Sequence, residues 1–314
     1  MTTVRVRAPA SSGNLGPAFD AAGLALDWWD ELEAAVIVPP APEFSVHVSG
    51  ESAELLPTGP GNLVAVAMRR LAAEAGAALP PLHLSVVKGF PLGRGFGSSA
   101  AAVVLGLLAA RELLAAELPD AALLALADEL EGHPDNAAPC LHGGAVLAWR
   151  EDGRPAARAL PVHPDLAAVA LVAPEPMATA EARRLLPERV PLAAAAHTAG
   201  RAALLPLALA GDFDLLLPAT EDVLHQPARL AGTPAAGALL ERLRARGHAV
   251  TLSGAGPSLL ALVPRPAVDG AVADAEAAVA GAGAAGWRVR RLELARHGAL
   301  AGMGAARPAA GPPR

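Results

Sequence analysis

Alternating apolar and polar positions open the chain. Val4, Val6 and Ala8 are separated by Arg5 and Arg7, which predicts a strand with one solvated face. The segment from Pro9 to Pro17, rich in Ser, Gly, Asn and Pro, is expected to be a loop. Ala34 to Val38 and Phe44 to Val48 predict two more strands. Asn62 stands as an N-cap before a helical pattern through Met68 and Leu71 to about Gly76. Leu82, Leu84 and Val86 alternate again, giving a strand that ends at Lys88. Beyond it come a glycine-rich loop, Gly89 to Gly97, and an apolar helix beginning near Ser98. Asp120 caps a further helix with Leu123, Leu124, Ala127 and Leu130 on one face, and Gly143 to Trp149 reads as a strand.

The second half repeats the mixture. Val169 to Ala173 predicts a strand, Thr179 starts a helix through Leu186, and helical stretches run from about Leu192 to Leu217. Thr233-Pro234 joins an N-cap to a first-turn proline and predicts a helix to Arg246. Ala249 to Leu252 and Leu259 to Val263 predict strands, followed by a helix over 267–281 and a strand from Trp287 to Leu294. The class is mixed α+β. The Pro- and Arg-rich stretch from Glu151 to about Asp165 marks the expected boundary, dividing the chain into 1–155 and 156–298. Residues 299–314, rich in Ala, Gly and Pro, are expected to form a flexible tail.

Composition narrows the function classes. A length of 314 residues suits two domains, and 53% apolar residues can fill their cores, mostly with Ala, Leu and Val because aromatics are only 3%. A net charge of −6 offers no electrostatic reason to hold a nucleic-acid backbone. The single cysteine, Cys140, excludes an internal disulfide and any multi-cysteine metal site. No apolar stretch follows the charges of the first seven residues, and the run from Ala100 to Ala110 is too short to span a bilayer. A soluble cytoplasmic protein is expected. As partners we expect a small-molecule substrate, no nucleic acid and no membrane, with a homodimer left open.

Four segments carry candidate chemistry. In Pro91-Leu92-Gly93-Arg94-Gly95-Phe96-Gly97-Ser98-Ser99, three glycines let backbone N–H groups turn inward, and the helix that follows adds its positive end. Together they make an anion cradle for nucleotide phosphates, with Ser98 and Ser99 offering hydroxyls to phosphate or Mg²⁺. The loop matches neither Walker A nor G-x-G-x-x-G, and alone it reads equally well as a strand-to-helix turn. Asn14 and Asp20 suit a hydroxyl or carboxylate and an ammonium, or are simply turn formers. Glu129-Leu130-Glu131-Gly132-His133-Pro134-Asp135-Asn136 offers a carboxylate for Mg²⁺ near a helix end and a polar turn to orient a substrate. Its bland alternative is an ordinary helix C-terminus at Gly132. Ser253-Gly254-Ala255-Gly256-Pro257-Ser258 is a small-residue loop that by itself is more often a tight turn.

The joint occurrence of these motifs, in this order and spacing, resembles the homoserine kinases within the GHMP superfamily of small-molecule kinases. The resemblance runs from about residue 4 to 295. It implies an N-terminal domain like ribosomal S5 domain 2, a C-terminal ferredoxin-like domain, and ATP and Mg²⁺ as cofactors. Carried over by motif, Pro91, Leu92, Gly93, Arg94, Gly95, Phe96, Gly97, Ser98, Ser99, Ala100 and Ala101 match the ATP phosphate loop. Ser99 and Glu129 match the Mg²⁺ positions. Asn14, Asp20, His133, Asp135, Asn136, Thr179, Arg183, Arg229 and Gly254 match the substrate pocket. Two arginines suit a carboxylate, Asp20 an ammonium, and either Asn136 or Asp135 could point the reacting hydroxyl at the γ-phosphate. Asp135 as a general base is the less favoured variant, because phosphoryl transfer depends more on positioning and charge neutralisation than on a strong base. The absence of a Walker-type lysine implies a phosphate site built on backbone N–H groups and Mg²⁺. Ala18, where Gly is usual, and Phe96, where Leu is usual, are departures that touch no assigned role. The alternatives are a GHMP kinase for another small alcohol such as mevalonate, and a non-catalytic metabolite-binding relative.

Overall fold

Burial on alternate sides of short strands, and along one stripe of the helices, builds two sheets with helices packed on them. The computed structural model describes residues 2–304. In chain order the strands and helices are β1 (Thr3–Gly13), β2 (Ala22–Val36), β3 (Phe44–Gly50), α1 (Leu63–Glu74), β4 (Leu82–Lys88), α2 (Ser98–Leu114), α3 (Asp120–Glu131), α4 (Ala137–His142), β5 (Ala145–Glu151) and β6 (Arg154–Leu160). They continue with β7 (Leu166–Val172), α5 (Thr179–Arg184), α6 (Leu192–Ala210), α7 (Leu216–Ala219), α8 (Gln226–Ala231), α9 (Pro234–Arg244), β8 (Ala249–Leu252), β9 (Leu259–Pro264), α10 (Val268–Gly281), β10 (Arg288–Leu292) and β11 (Leu300–Gly304).

Seven strands form the first sheet, in the order β11-β1-β2-β4-β3, with β5 pairing β2 and β6 pairing β5. Only β3 and β4 run parallel; α2 packs over this sheet and α1 packs against α2. Asn62 caps α1 as expected, its side chain accepting from Val64 N at 3.0 Å. The second sheet is antiparallel, in the order β10-β7-β9-β8. Its chain order of strand, helices, two strands, helix and strand is the ferredoxin-like arrangement. Every residue of β7 is buried, as a central strand covered on both faces requires.

Three expectations need correction. The strand begun at Thr3 does not give way to a loop at Pro9. It bulges at Pro9/Ala10 and pairs with β2 as far as Gly13, because Ser11 N also bonds Phe96 O at 3.1 Å and supports the loop above it. The boundary at 155 falls inside β6, which pairs with β5 along its length. We therefore propose a division between Leu160 and Leu166, where the chain changes sheets. Leu300–Gly304 is not tail but an edge strand paired antiparallel with β1. The remainder of the tail expected over 299–314, residues 305–314, lies outside the described residues. Among the described residues one helix, Leu192–Ala210, is long and apolar enough to cross a membrane by length and composition, and it buries Thr198, Leu205, Ala208 and Leu209 in the protein.

One buried ion pair lies under the site. Lys88, the only lysine, is 4% exposed, and its ammonium bonds Asp30, which is fully buried. Gly89 N donates to the other Asp30 oxygen at 2.8 Å, yet burial still pushes the Asp30 carboxyl above the usual range. Removing one partner leaves a charge buried without its counterion. Asp30→Ala is therefore expected to lose about 3–5 kcal/mol in a urea titration. Combining it with Lys88→Met should recover part of that loss, because the stranded charge is then gone.

Candidate active site

The loop between β4 and α2 turns on glycines in the left-handed region, with φ of 83° at Gly95 and 66° at Gly97. A side chain at either would collide with structure. A Cβ on Gly95 would lie 2.1 Å from Ser253 O, and one on Gly97 would lie 2.1 Å from Ser11 Oγ. Hydrogen bonds from four residues hold the loop in place. Ser253 Oγ donates to Gly95 O at 2.7 Å, Met177 N to Gly93 O at 2.8 Å, and Ser11 N to Phe96 O at 3.1 Å. Arg94 donates to Leu92 O at 2.7 Å and reaches Ala173 O and Pro174 O on the segment after β7. Residues of both sheets thus fix the entrance to α2, whose first turn points free N–H groups outward.

A cleft of about 450 Å³ opens in front of this loop. Leu92, Gly93, Gly95, Gly97, Ser98 and Ser99 line one side of it, and Asn14, Asp20, His133, Asp135 and Asn136 another. Thr179, Arg183, Arg229 and Gly254 come from the C-terminal half, completing the set of substrate positions expected from sequence. Of the expected phosphate-loop residues, Pro91, Arg94, Phe96, Ala100 and Ala101 do not line the cleft. Phe96 is 1% exposed and packs on Trp28 with ring centroids 5.5 Å apart, while Ala100 and Ala101 are core. The arginine at 94 spends its donors on backbone carbonyls, so it braces the loop.

Glu129 is the clear displacement. Its carboxylate faces away from the cleft and makes a two-pronged pair with Arg70, both bonds at 2.9 Å. Glu131, two residues on, occupies the place expected of it: Ser99 Oγ donates to Glu131 Oε2 at 2.6 Å. Gly132 ends α3 in the left-handed conformation, φ 81°, and its N–H bonds Asp128 O at 2.7 Å. That ending places the last helical side chain, Glu131, at the cleft. Burial raises the Glu131 carboxyl above its ordinary range.

The turn that follows is tightly bonded. His133 Nδ1 lies 2.8 Å from Asp135 Oδ1, and that bond raises the imidazole above its usual value and favours its charged form. Asn136 Nδ2 donates to Asp135 Oδ1 at 3.3 Å, and Ser11 Oγ donates to Asn136 Oδ1 at 3.1 Å. Asn14, left-handed at φ 69°, accepts from Asp20 N at 2.9 Å and donates to Gly254 O at 2.8 Å. Its amide therefore stitches the first turn to the Gly254 loop. Asp20 and Arg183 meet across the cleft in a two-oxygen pair at 2.8 and 2.9 Å. Lys88 sits behind the loop and donates to Ser98 Oγ at 2.8 Å, leaving the serine proton to point elsewhere.

Sequence reasoning missed several of these parts. Glu131 stood in the quoted motif but was passed over for Glu129. Phe19 lies beneath both arginines, 5.7 Å from the Arg183 guanidinium and 5.3 Å from that of Arg229. Pro176, Met177 and Ala178 close one wall, and no sequence signal marked them. The arrangement offers an anion cradle, an oxygen pair suited to a hard cation, and a polar end with one carboxylate and two guanidiniums. Such a cleft can hold a polyphosphate against a small zwitterion.

Comparisons with known proteins agree with this chemistry. Residues 62–144 match the model for the GHMP kinases N terminal domain, and 204–281 match GHMP kinases C terminal. A homoserine kinase of Streptomyces coelicolor is 45% identical over 94% of this chain and 93% of its own length. One from Clavibacter michiganensis is 47% identical over 84% and 83%. The crystal structure of homoserine kinase from Cytophaga hutchinsonii superposes with a TM-score of 0.84 at 26% identity, covering 95% of this chain and 97% of that one. Mevalonate diphosphate decarboxylase from Staphylococcus aureus shares the fold at a TM-score of 0.69 and 17% identity, so the fold alone does not select a reaction. Sequence identity over nearly the whole chain does select a family: this protein is a kinase and belongs to the homoserine kinases of the GHMP superfamily.

Proposed function

We propose that the protein transfers the γ-phosphoryl group of ATP to the side-chain hydroxyl of L-homoserine, giving O-phospho-L-homoserine for threonine synthesis in the cytosol. One observation carries the reading. The glycine loop and the Asn136 amide adjoin in a single cleft, so close that a Cβ added at Gly97 would lie 3.2 Å from Asn136 Oδ1, and Asp20, Arg183 and Arg229 line the same cleft.

The glycine loop binds the phosphate chain through backbone N–H groups and the start of α2. Ser99 and Glu131 fit Mg²⁺, being oxygen donors brought within 2.6 Å of each other. When bound, Mg²⁺ neutralises charge on the phosphoryl oxygens. Arg183 and Arg229 bind the substrate carboxylate, Asp20 its ammonium, and Asn136 orients the hydroxyl. Asp135 is engaged by His133 and Asn136, which favours an orienting role over that of a base. A loose transition state needs no strong base.

An ADP-release assay with MgATP tests the reading directly. L-Homoserine should give turnover, while mevalonate and L-threonine should give under about one hundredth of its kcat/KM, a margin of some 3 kcal/mol in transition-state binding. Turnover confined to either of the other two would overturn it.

A further inference from the structure

Arg229 is held in an unusual way. It is 2% exposed, it lines the cleft, and it has no salt-bridge partner among the described residues, whereas Arg183 is clamped by Asp20. Its Nη1 reaches Gly254 O at 3.2 Å and His225 Nδ1 at 3.3 Å, and its enclosed Nε has no partner. The other ring nitrogen, His225 Nε2, is 2.7 Å from Gly16 O. A carbonyl only accepts, so Nε2 carries the proton, and in the neutral ring Nδ1 is a bare acceptor aimed at the guanidinium.

The surroundings keep His225 in that orientation. Asp222 accepts from the backbone N–H groups of Leu224, His225 and Gln226, fixing the entry to α8, and is itself bonded by Thr198 Oγ1 of α6. The imidazole lies 5.1 Å from the Phe19 ring, the same ring over which Arg229 sits. Charged groups face it from three elements. Asp222 Oδ2 is 3.5 Å from Nε2, Arg229 extends from α8, and Asp20 acts from the turn after β1. Burial outweighs the two carboxylates and lowers the imidazole below its ordinary value, keeping it neutral.

We propose that His225 is a positioning residue for substrate capture: as the neutral Nε2–H tautomer it holds Arg229 at the cleft wall, and protonation at Nδ1 releases it. The proposal rests on reading the cleft as the homoserine site. Protonation replaces an acceptor with a cationic N–H facing a guanidinium, so capture of the carboxylate weakens. ATP binding and the transfer step do not pass through this contact.

Steady-state kinetics of the full chain from pH 5 to 8 test it. His225→Leu should raise the homoserine KM at least tenfold, with kcat within threefold and the ATP KM within twofold. In His225→Asn the amide oxygen stands near the Nδ1 position, so the homoserine KM should return to within threefold of the unmodified enzyme. For the unmodified enzyme, the homoserine KM should rise toward the acid end of this range, at a lower pH than an ordinary imidazole would give, and this acid limb should be absent in His225→Asn. The limb is read without any substitution, so a poorly folding variant does not protect the idea. A flat homoserine KM down to pH 5, or an unchanged KM in His225→Leu, overturns this proposal alone. Absence of homoserine-dependent ADP release by the unmodified enzyme overturns the substrate reading, and this proposal with it.

Discussion

Gly95→Ala is expected to lower kcat/KM for ATP by about 100-fold or more, the order of loss that follows a 1 Å misplacement of a reacting group. The backbone at this position has φ 83°, which costs an L-residue about 1–2 kcal/mol before any contact is considered. The added carbon also meets Ser253 O at 2.1 Å and Gly256 O at 3.1 Å, both backbone atoms that no rotamer change can move. One loop must retreat. If the glycine loop moves, its N–H groups leave the phosphates; if the Ser253 loop moves, the Ser253 Oγ bond to Gly95 O breaks and Gly254 shifts away from Arg229. The homoserine KM should therefore rise together with that for ATP. Steady-state kinetics with both substrates varied, beside a melting curve to verify folding, would check this. Constants within threefold of the unmodified enzyme would contradict it.

The second large effect separates two neighbouring glutamates. Glu131→Gln should reduce kcat by about 10²–10³-fold, the range typical of losing one charged group that stabilises developing charge. It should also raise the Mg²⁺ concentration needed for half-maximal rate. Glu129→Gln should leave both within twofold, because its carboxylate is 56% exposed and pairs with Arg70 on the surface. Mg²⁺ titrations of the two variants at saturating ATP decide between them. The reverse pattern would return the cation to Glu129.

That pair also shows where sequence reading stops. Successive residues on a helix are about 100° apart, so Glu129 and Glu131 point roughly 200° from one another. Both follow the apolar stripe of Leu123, Leu124 and Ala127, and nothing in the local pattern says which side faces the glycine loop. Docking of α3 beside α1 and α2 decides it, by giving Arg70 of α1 to Glu129 and Ser99 of α2 to Glu131. The misread stretch from Pro9 to Gly13 has a related cause. Its Ser and Gly content argues for a loop, but small side chains are what the space beneath the phosphate loop admits, and pairing with β2 overrides local preference.

Other features were legible because their causes are local. Period-two burial in β4, the Asn62 cap, the Thr233-Pro234 helix start and the glycines that permit positive φ each follow from neighbouring residues. The motifs likewise identified the family, and they marked the glycine loop and the polar turn that line the cleft. Contacts between residues far apart in sequence were not available in that way. Asp20 meets Arg183 across 163 positions, and Ser253 reaches Gly95 across 158. Lys88, read in the sequence only as the end of a strand, proves to stand under the glycine loop, buried with Asp30 and bonded to Ser98. By itself, the sequence determined which chemical groups this protein has and which backbone turns it can make. Only the packing of two sheets decided which of those groups face one another, since side-chain direction across a cleft depends on burial and long-range pairing that no local pattern encodes.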